Sequence, residues 1–420
     1  MSPGRRVFIT GVGAISPLGE GLDAFYEGLR SGRSGTRRVT LVQDPLIESQ
    51  VAAEVPDFDP LRHISALDSK RVPRLIPMAI GAAREALRQA GYDPDALPEQ
   101  DRRGMGVIVG TGGGGIEFAE MQYRELYLKN NRHVTPYCVS SSFVGMLSSE
   151  ISIAFGLYGP SHVLSTGCTS STDAIGYAYR QIKTGQAEAL VTGGAEACIT
   201  QGLLAGFGRM KVAAARYNET PERASRPFDR DRDGFVLGEG AWMLMVESEE
   251  SALRRGARVL AEITGYGSTC EAYHRVAVKN DGIEPARAMR LALQEAGVDP
   301  ARVGCVQLHG TGTRLNDPAE ARAMGLVFGE RSARVAATAL KSQIGHPQGA
   351  CGAAGVSAAV FTLTRGIVPP TINYDNPDPE CPLDVTPNRA RSLEVDHVLC
   401  NTIAFGSKNS ALLISRAPVR

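Results

Sequence analysis

The chain has no excess of charge of either sign: 45 Lys and Arg stand against 45 Asp and Glu. That balance excludes a global field for nucleic acid or an anionic membrane, so an acidic partner has to be met by a local basic patch. Long hydrophobic runs are missing too. The apolar stretches are broken by Gly or charge before a membrane-spanning length, and the charged opening MSPGRR leads into a strand pattern instead of a signal peptide. Eight cysteines are dispersed without a CxxC pair, which argues against a disulfide framework or zinc site and for a reduced, cytoplasmic setting. There is no low-complexity tract, no sharp internal repeat and no long linker, so the 420 residues are expected to pack as one body.

What is present is alternation. Short β-branched runs (RVFIT, GVIVG, HVLS, EALVTG, AWMLMVE, ARVLAEITGYG, CVQLH, VAATAL, HVLCNTIAF, ALLISR) read as strands, and Ala-rich helical patterns at 78–90 and 169–184 lie between some of them. The expected class is α/β, with helices covering buried sheets on both sides. A charged segment, ESEESALRRGAR at 247–258, separates the two groups of strands and divides the chain into halves 1–255 and 256–420. The Pro-rich stretch 368–387 reads as an extended surface excursion.

Two glycine-rich segments invite a nucleotide reading. The opening Gly11-Val12-Gly13 follows a strand, but Ser16 holds the third glycine position and no acidic residue completes the βαβ unit. VGTGGGG at 109–115 has no following Lys-Ser/Thr and reads as a turn where backbones approach closely.

The chemistry points elsewhere. STGCTS at 165–170 sits where a strand pattern gives way to a helical one, so Cys168 is expected exposed at a helix N-terminus, where the helix dipole and unpaired N–H groups favour thiolate and cradle an oxyanion. A free cysteine is ordinarily a small buried hydrophobe. The company of His309 in LHGTGT and His346 in IGHPQGACG, each beside glycine in a turn beyond a strand, favours a nucleophile, with two imidazole donors to a thioester oxygen. Lys341, five residues before His346, is expected to set the electrostatics of the shared cavity.

STGCTS, HGTGTRLND, KSQIGH and RPFDRDRDGFVLGEGA resemble the condensing enzymes of the β-ketoacyl-[acyl carrier protein] synthase family, over nearly the whole chain. The resemblance implies a thiolase-like αβαβα five-layer fold of two similar halves, working as a dimer, without metal or redox cofactor. It implies that Cys168 takes an acyl chain from the phosphopantetheine arm of an acyl carrier protein, and that His309 and His346 promote decarboxylation of the malonyl extender beside a structural Lys341. Thr311 and Thr313 match hydroxyls that hold the pantetheine, and the backbone N–H groups of Cys168 and Phe405 match the oxyanion hole. Lys70, Arg71, Arg74, Lys129, Arg132, Arg209 and Lys211 fall in regions resembling the carrier-docking surface.

Within the family, STGCTSSTDAIGYAY looks closer to the ketosynthase of type II polyketide systems than to the fatty-acid enzyme. That implies a chain-length-factor-like partner lacking the cysteine, or otherwise a homodimer. A fatty-acid elongating synthase is the nearest alternative, a non-catalytic chain-length-factor-like subunit another, and a thiolase a weaker third, since Cys381 and Cys400 lack its glycine-rich motif. Several positions depart from the family pattern. Ala404 and Ser407 replace glycines of the gate around Phe405, Gly355 stands where a glutamate is common, and Tyr273 to Val278 lack a threonine-and-proline pattern. Cys138, in TPYCVSS, falls at a position lining the acyl tunnel near the dimer partner.

Overall fold

Ten of the β-branched runs form one continuous sheet. The computed structural model describes residues 4–129 and 134–417. Its strands are β1 (Val7–Ser16), β2 (Met105–Gly110), β3 (Ser161–Leu164), β4 (Ala189–Glu196), β5 (Gly240–Ser248), β6 (Ala261–Cys270), β7 (Cys305–Gln307), β8 (Ala336–Thr338), β9 (His397–Ala404) and β10 (Lys408–Arg416). They lie in the order β8-β7-β9-β10-β6-β1-β5-β4-β2-β3, with the two-residue strand Gly19–Glu20 paired off β1.

That order contains a repeat. Counting outward from the centre, β1-β5-β4-β2-β3 and β6-β10-β9-β7-β8 both run first, fifth, fourth, second, third. Both also pair antiparallel, antiparallel, parallel, parallel. The two halves meet where β1 pairs antiparallel with β6, Val7 opposite Ile263 and Ile9 opposite Ala261. Among the helices that build the layers are α1 (Leu75–Gln89), α2 (Ser170–Lys183), α3 (Ile283–Ala296), α4 (Asn316–Phe328) and α5 (Cys351–Arg365). Helices α2 and α5 touch each other and pack between the two half-sheets, while α1 covers the first half and α3 the second. This is the thiolase-like αβαβα arrangement, and it turns the alternating sequence into a core in which central strands such as β5 are buried throughout.

A repeat in sequence accompanies the repeat in space. β1 carries ITGVG and β6 carries ITGYG, each with a register shift at the same point, after Ile9 and after Ile263. A Cβ on Gly11 or Gly13 would lie 2.0 Å from the carbonyl oxygens of Ala86 and Ala82 on α1. A Cβ on Gly265 would lie 2.0 Å from the Ala292 oxygen on α3. The glycines therefore let a helix sit directly on a bulged strand. The two similar halves implied by the resemblance are thus present, with only this short match in sequence, and Gly11-Val12-Gly13 has a packing role.

The Pro-rich stretch is more than a surface excursion. Thr371 and Cys381 are buried, and Asp375 and Asp378 pair with the buried Arg226 and Arg232 of the RPFDRDRDG segment. Among the described residues, no helix is long and apolar enough to cross a membrane.

Candidate active site

Cys168 lies in a single 3-10 turn, Gly167–Thr169, that runs straight into α2. Gly167 makes the corner with φ +72°, a left-handed value that favours glycine. The Thr166 hydroxyl donates to Asp173 Oδ2 at 2.5 Å, and the other oxygen of Asp173 accepts from Tyr266 at 2.7 Å and from Ser410. The nucleophile turn of one half is thus tied to β6 and β10 of the other.

The helix-start position is as read from the sequence, but the exposure is not. Cys168 is only 6 % exposed, and burial pushes its pKa up to about 12, opposed by the charge of Lys341 and by a hydrogen bond from the Phe405 N–H. Loss of solvent is the largest influence on this thiol.

His309 follows β7 directly. Its N–H and that of Gly310 donate to the two oxygens of Glu320 on α4, at 2.7 and 2.8 Å, and Asn401 on β9 donates to the same carboxylate at 2.7 Å. His346 follows the short helix Lys341–Ile344, its N–H donating to Val236 O at 2.7 Å and its carbonyl accepting from Gly238 N at 3.0 Å. The FVLGEG end of RPFDRDRDGFVLGEGA thereby fixes the second imidazole. The two rings meet edge to face at 5.4 Å, and Phe235 backs His346 at 5.4 Å on another side. The ligand atoms of Cys168, His309 and His346 all lie within 4.8 Å of one another.

Lys341 Nζ donates to His309 O at 2.6 Å and contacts His309 Nδ1 at 3.2 Å. An ammonium has no acceptor, so Nδ1 is the acceptor and the ring proton of neutral His309 sits on Nε2. Both imidazoles are held well below their ordinary pKa, His309 by burial and by the charges of Lys341 and His346, and His346 by burial and Lys341. They are neutral rings near neutral pH.

These groups open into a cavity of about 420 Å³ lined by Cys168, His309, His346, Thr311, Thr313 and Phe405. The hydroxyls of Thr311 and Thr313 are 2.9 Å apart, and buried Asp317 accepts from the N–H groups of Thr311, Gly312 and Phe228. Phe405 ends β9. Beyond it, Ser407 takes φ +66° even though it is not glycine, and its hydroxyl donates to His274 O at 3.0 Å while accepting from His274 N at 3.2 Å. Although Ser407 replaces a glycine of the gate, local hydrogen bonds hold the serine at positive φ.

Four buried carboxylates, Asp173, Glu196, Asp317 and Glu320, hold these loops, and the sequence reading missed all of them. Glu196 accepts from the N–H groups of Gly112, Gly113 and Gly349 at 2.7, 3.1 and 3.0 Å. The VGTGGGG turn does cradle an anion, but the anion is the protein's own side chain.

The predicted outlying residues divide. Lys211 lines the cavity rim and Arg209 is exposed close by in sequence, as is Arg314 on the rim, which the sequence reading did not single out. Lys70, Arg71 and Lys129 do not line the cavity; Arg71 lies 5.0 Å over the Tyr137 ring, and Lys129 pairs with Glu125. Arg74 makes a two-pronged pair with the buried Glu239 at 2.9 and 2.8 Å and does not line the cavity. Arg132 lies outside the described residues. Cys138 is 5 % exposed in the short helix Cys138–Ser142 and is not among the residues lining the cavity that holds Cys168.

A five-layer fold of two repeated halves, with one thiol and two imidazoles converging beside a lysine, defines a thiol-dependent acyl-transfer enzyme. The chain belongs to the β-ketoacyl synthase family: residues 4–252 match the beta-ketoacyl synthase N-terminal domain and residues 260–375 the C-terminal domain. It is 38 % identical over 412 residues to a 3-oxoacyl-[acyl-carrier-protein] synthase 2 of Synechocystis, covering 98 % of each chain. It is 40 % identical over 426 residues to the actinorhodin polyketide beta-ketoacyl synthase 1 of Streptomyces coelicolor, covering 98 % of this chain and 89 % of that one. Similar solved structures include the ishigamide ketosynthase/chain length factor, at TM-score 0.90 and 36 % identity over 99 % of this chain and 100 % of that one. Another is a type II polyketide acyl-carrier protein in complex with its ketosynthase, at TM-score 0.90, 28 % identity and the same coverage. The protein is a β-ketoacyl-acyl-carrier-protein synthase, a condensing acyltransferase.

Proposed function

We propose that this chain is the elongating ketosynthase of a type II polyketide system, with Cys168 as its nucleophile. The observation that carries the reading is the convergence of Cys168 Sγ and the two imidazoles within 4.8 Å at the floor of one cavity. In the first half-reaction Cys168 attacks the thioester of an acyl carrier protein. A thiol whose pKa is raised to about 12 gives up its proton only as the C–S bond forms. That proton ends on the departing pantetheine sulfur, and neutral His346 keeps its own N–H for the second half-reaction. Thr311 and Thr313 hold the pantetheine arm, and the N–H groups of Cys168 and Phe405 receive the carbonyl oxygen.

In the second half-reaction malonyl-carrier protein occupies the same cavity. The bond to its carboxylate breaks, carbon dioxide leaves, and the electron pair remains as an enolate whose oxygen accepts from the Nε2–H of His309 and from His346. The enolate carbon then attacks the acyl group on Cys168. The new C–C bond expels the Cys168 thiolate, which takes a proton from solvent water, and the β-ketoacyl chain stays on the carrier protein. The reading calls for no cofactor. Lys211 and Arg314 at the rim, with exposed Arg209 two residues before Lys211, suit an acidic carrier protein, with salt-sensitive binding.

Partnership with a chain-length-factor-like homologue, or otherwise a second copy, is supported by the open edge of β3 and by the exposed Phe143, Ile153 and Tyr158 around it. The reduced, balanced composition fits a cytoplasmic enzyme. A fatty-acid elongating role is favoured by a specific observation of its own, the 38 % identity to the Synechocystis synthase.

Incubation with acyl and malonyl carrier proteins of each pathway, followed by mass spectrometry, tests these statements. An acyl adduct on Cys168, lost in Cys168→Ala, and turnover only with the polyketide carrier are expected. An adduct at another residue overturns the nucleophile, and turnover only with the fatty-acid carrier overturns the pathway.

A further inference from the structure

A second thiol stands behind the nucleophile. Cys351, the first residue of α5, is 6 % exposed and packs with Cys168 and Ala404 in a small cluster. Its Sγ donates to the Cys168 carbonyl oxygen at 3.1 Å. Burial raises its pKa, and the charge of Lys341 opposes that. Cys351 therefore touches the backbone of the residue that carries the acyl chain, and it borders the same niche as Lys341, the side chain that fixes the tautomer of His309.

The surroundings show why this contact matters. Lys341 and Cys351 border a closed niche of about 20 Å³, the size of one water molecule. Both polar ends of the Gln307 amide and the Oδ1 of Asn401, which border the same niche, are buried without a protein partner. Helix α5 contributes only Cys351, Gly352 and Gly355 to its wall. The glycines have no side chain, so the Cys351 thiol is the only polar side-chain group this helix offers to Lys341. An added Cβ at Gly355 would meet nothing nearer than the Gln307 Cβ at 4.0 Å, so the polar space is not taken up from that position either.

We propose that Cys351 is a positioning residue of the condensing centre, its thiol clamping the Cys168 peptide to the Lys341 side chain across the wall of this niche. The proposal rests on the role given to Cys168 above. Loss of the clamp frees the Cys168 carbonyl and the Lys341 end together, which misaligns the thioester and the His309 donor without altering the rim where carrier protein binds. The effect belongs to the bond-making step.

The test compares Cys351→Ala and Cys351→Ser with the wild type in full condensation kinetics, with thermal melting and mass spectrometry of the Cys168 adduct alongside. Cys351→Ala is expected to lower kcat about fivefold, the worth of one buried hydrogen bond, with KM for malonyl-carrier protein unchanged. Cys351→Ser keeps a hydroxyl donor and acceptor at that point and is expected within about twofold of wild type. Unchanged kcat in Cys351→Ala, a Cys351→Ser variant as slow as Cys351→Ala, or a loss that appears only as a lower melting temperature each overturns the proposal. An acyl adduct on Cys168 that persists in all three proteins separates those outcomes from failure of the underlying reading, which would show as no adduct in the wild type.

Discussion

At the scale of single residues, the site depends on groups kept neutral by burial. His309 and His346 are both held well below the ordinary histidine value of 6.5, burial being the first cause. Their folded-state pKa is lowered, so below about pH 6.5 the unfolded chain binds protons that the folded chain refuses. The stability that depends on them is complete above that pH and is lost as pH falls below it. The melting temperature of the wild type is therefore expected to fall more steeply between about pH 7 and pH 5 than that of His346→Gln, which has one such group fewer. Parallel curves would refute the neutral assignment for His346.

Residue by residue, legibility followed local signals. Cys168, His309 and His346 could be found because each sits in a short turn beside glycine, and Lys341 because it stands just ahead of such a turn. Glu196, Asp317 and Glu320 could not, because an acidic residue in a strand or helix ordinarily faces water. Their partners become visible only when loops distant in sequence fold around them, as Gly112 and Gly349 do around Glu196. The thiol's exposure was misjudged for a related reason: a small-residue turn opens space, but Phe405 and Ala404 arrive from β9 to close it.

At the scale of elements, the helices and strands were legible from periodicity, and their closest contacts were not. ITGVG and ITGYG are short matches far apart in the chain, and only the shared bulge and the shared helix approach show them to be equivalent. Gly265→Ala is expected to destabilise the protein by about 3 kcal/mol in urea denaturation, because its Cβ would lie 2.0 Å from a helix carbonyl. Gly325→Ala is the opposite case. It lies inside α4 with nothing within 4 Å of an added Cβ, so the helix-propensity gain of about 1 kcal/mol should be realised. If both substitutions move stability in one direction, close strand–helix approach is not the reason for the repeated glycines.

At the scale of the whole molecule, β3 leaves an unpaired edge on the long sheet, and Ile153 on the adjoining helix Met146–Phe155 is 73 % exposed. A free edge beside apolar side chains is a surface for pairing with another chain. Ile153→Glu is expected to shift the sedimentation profile towards monomer at micromolar concentration, with the far-ultraviolet spectrum unchanged. An unaltered profile would place the contact elsewhere.

The thiol and its imidazoles come from opposite members of the structural repeat: Cys168 precedes α2 in the first half, while His309, Lys341, His346 and Phe405 belong to the second. Turnover is consequently a gauge of how well those two members stay docked. Any agent that loosens the seam, a proteolytic nick between β5 and β6 included, should extinguish condensation while each member still keeps its own strands and helices, so that catalysis fails before circular dichroism registers any change.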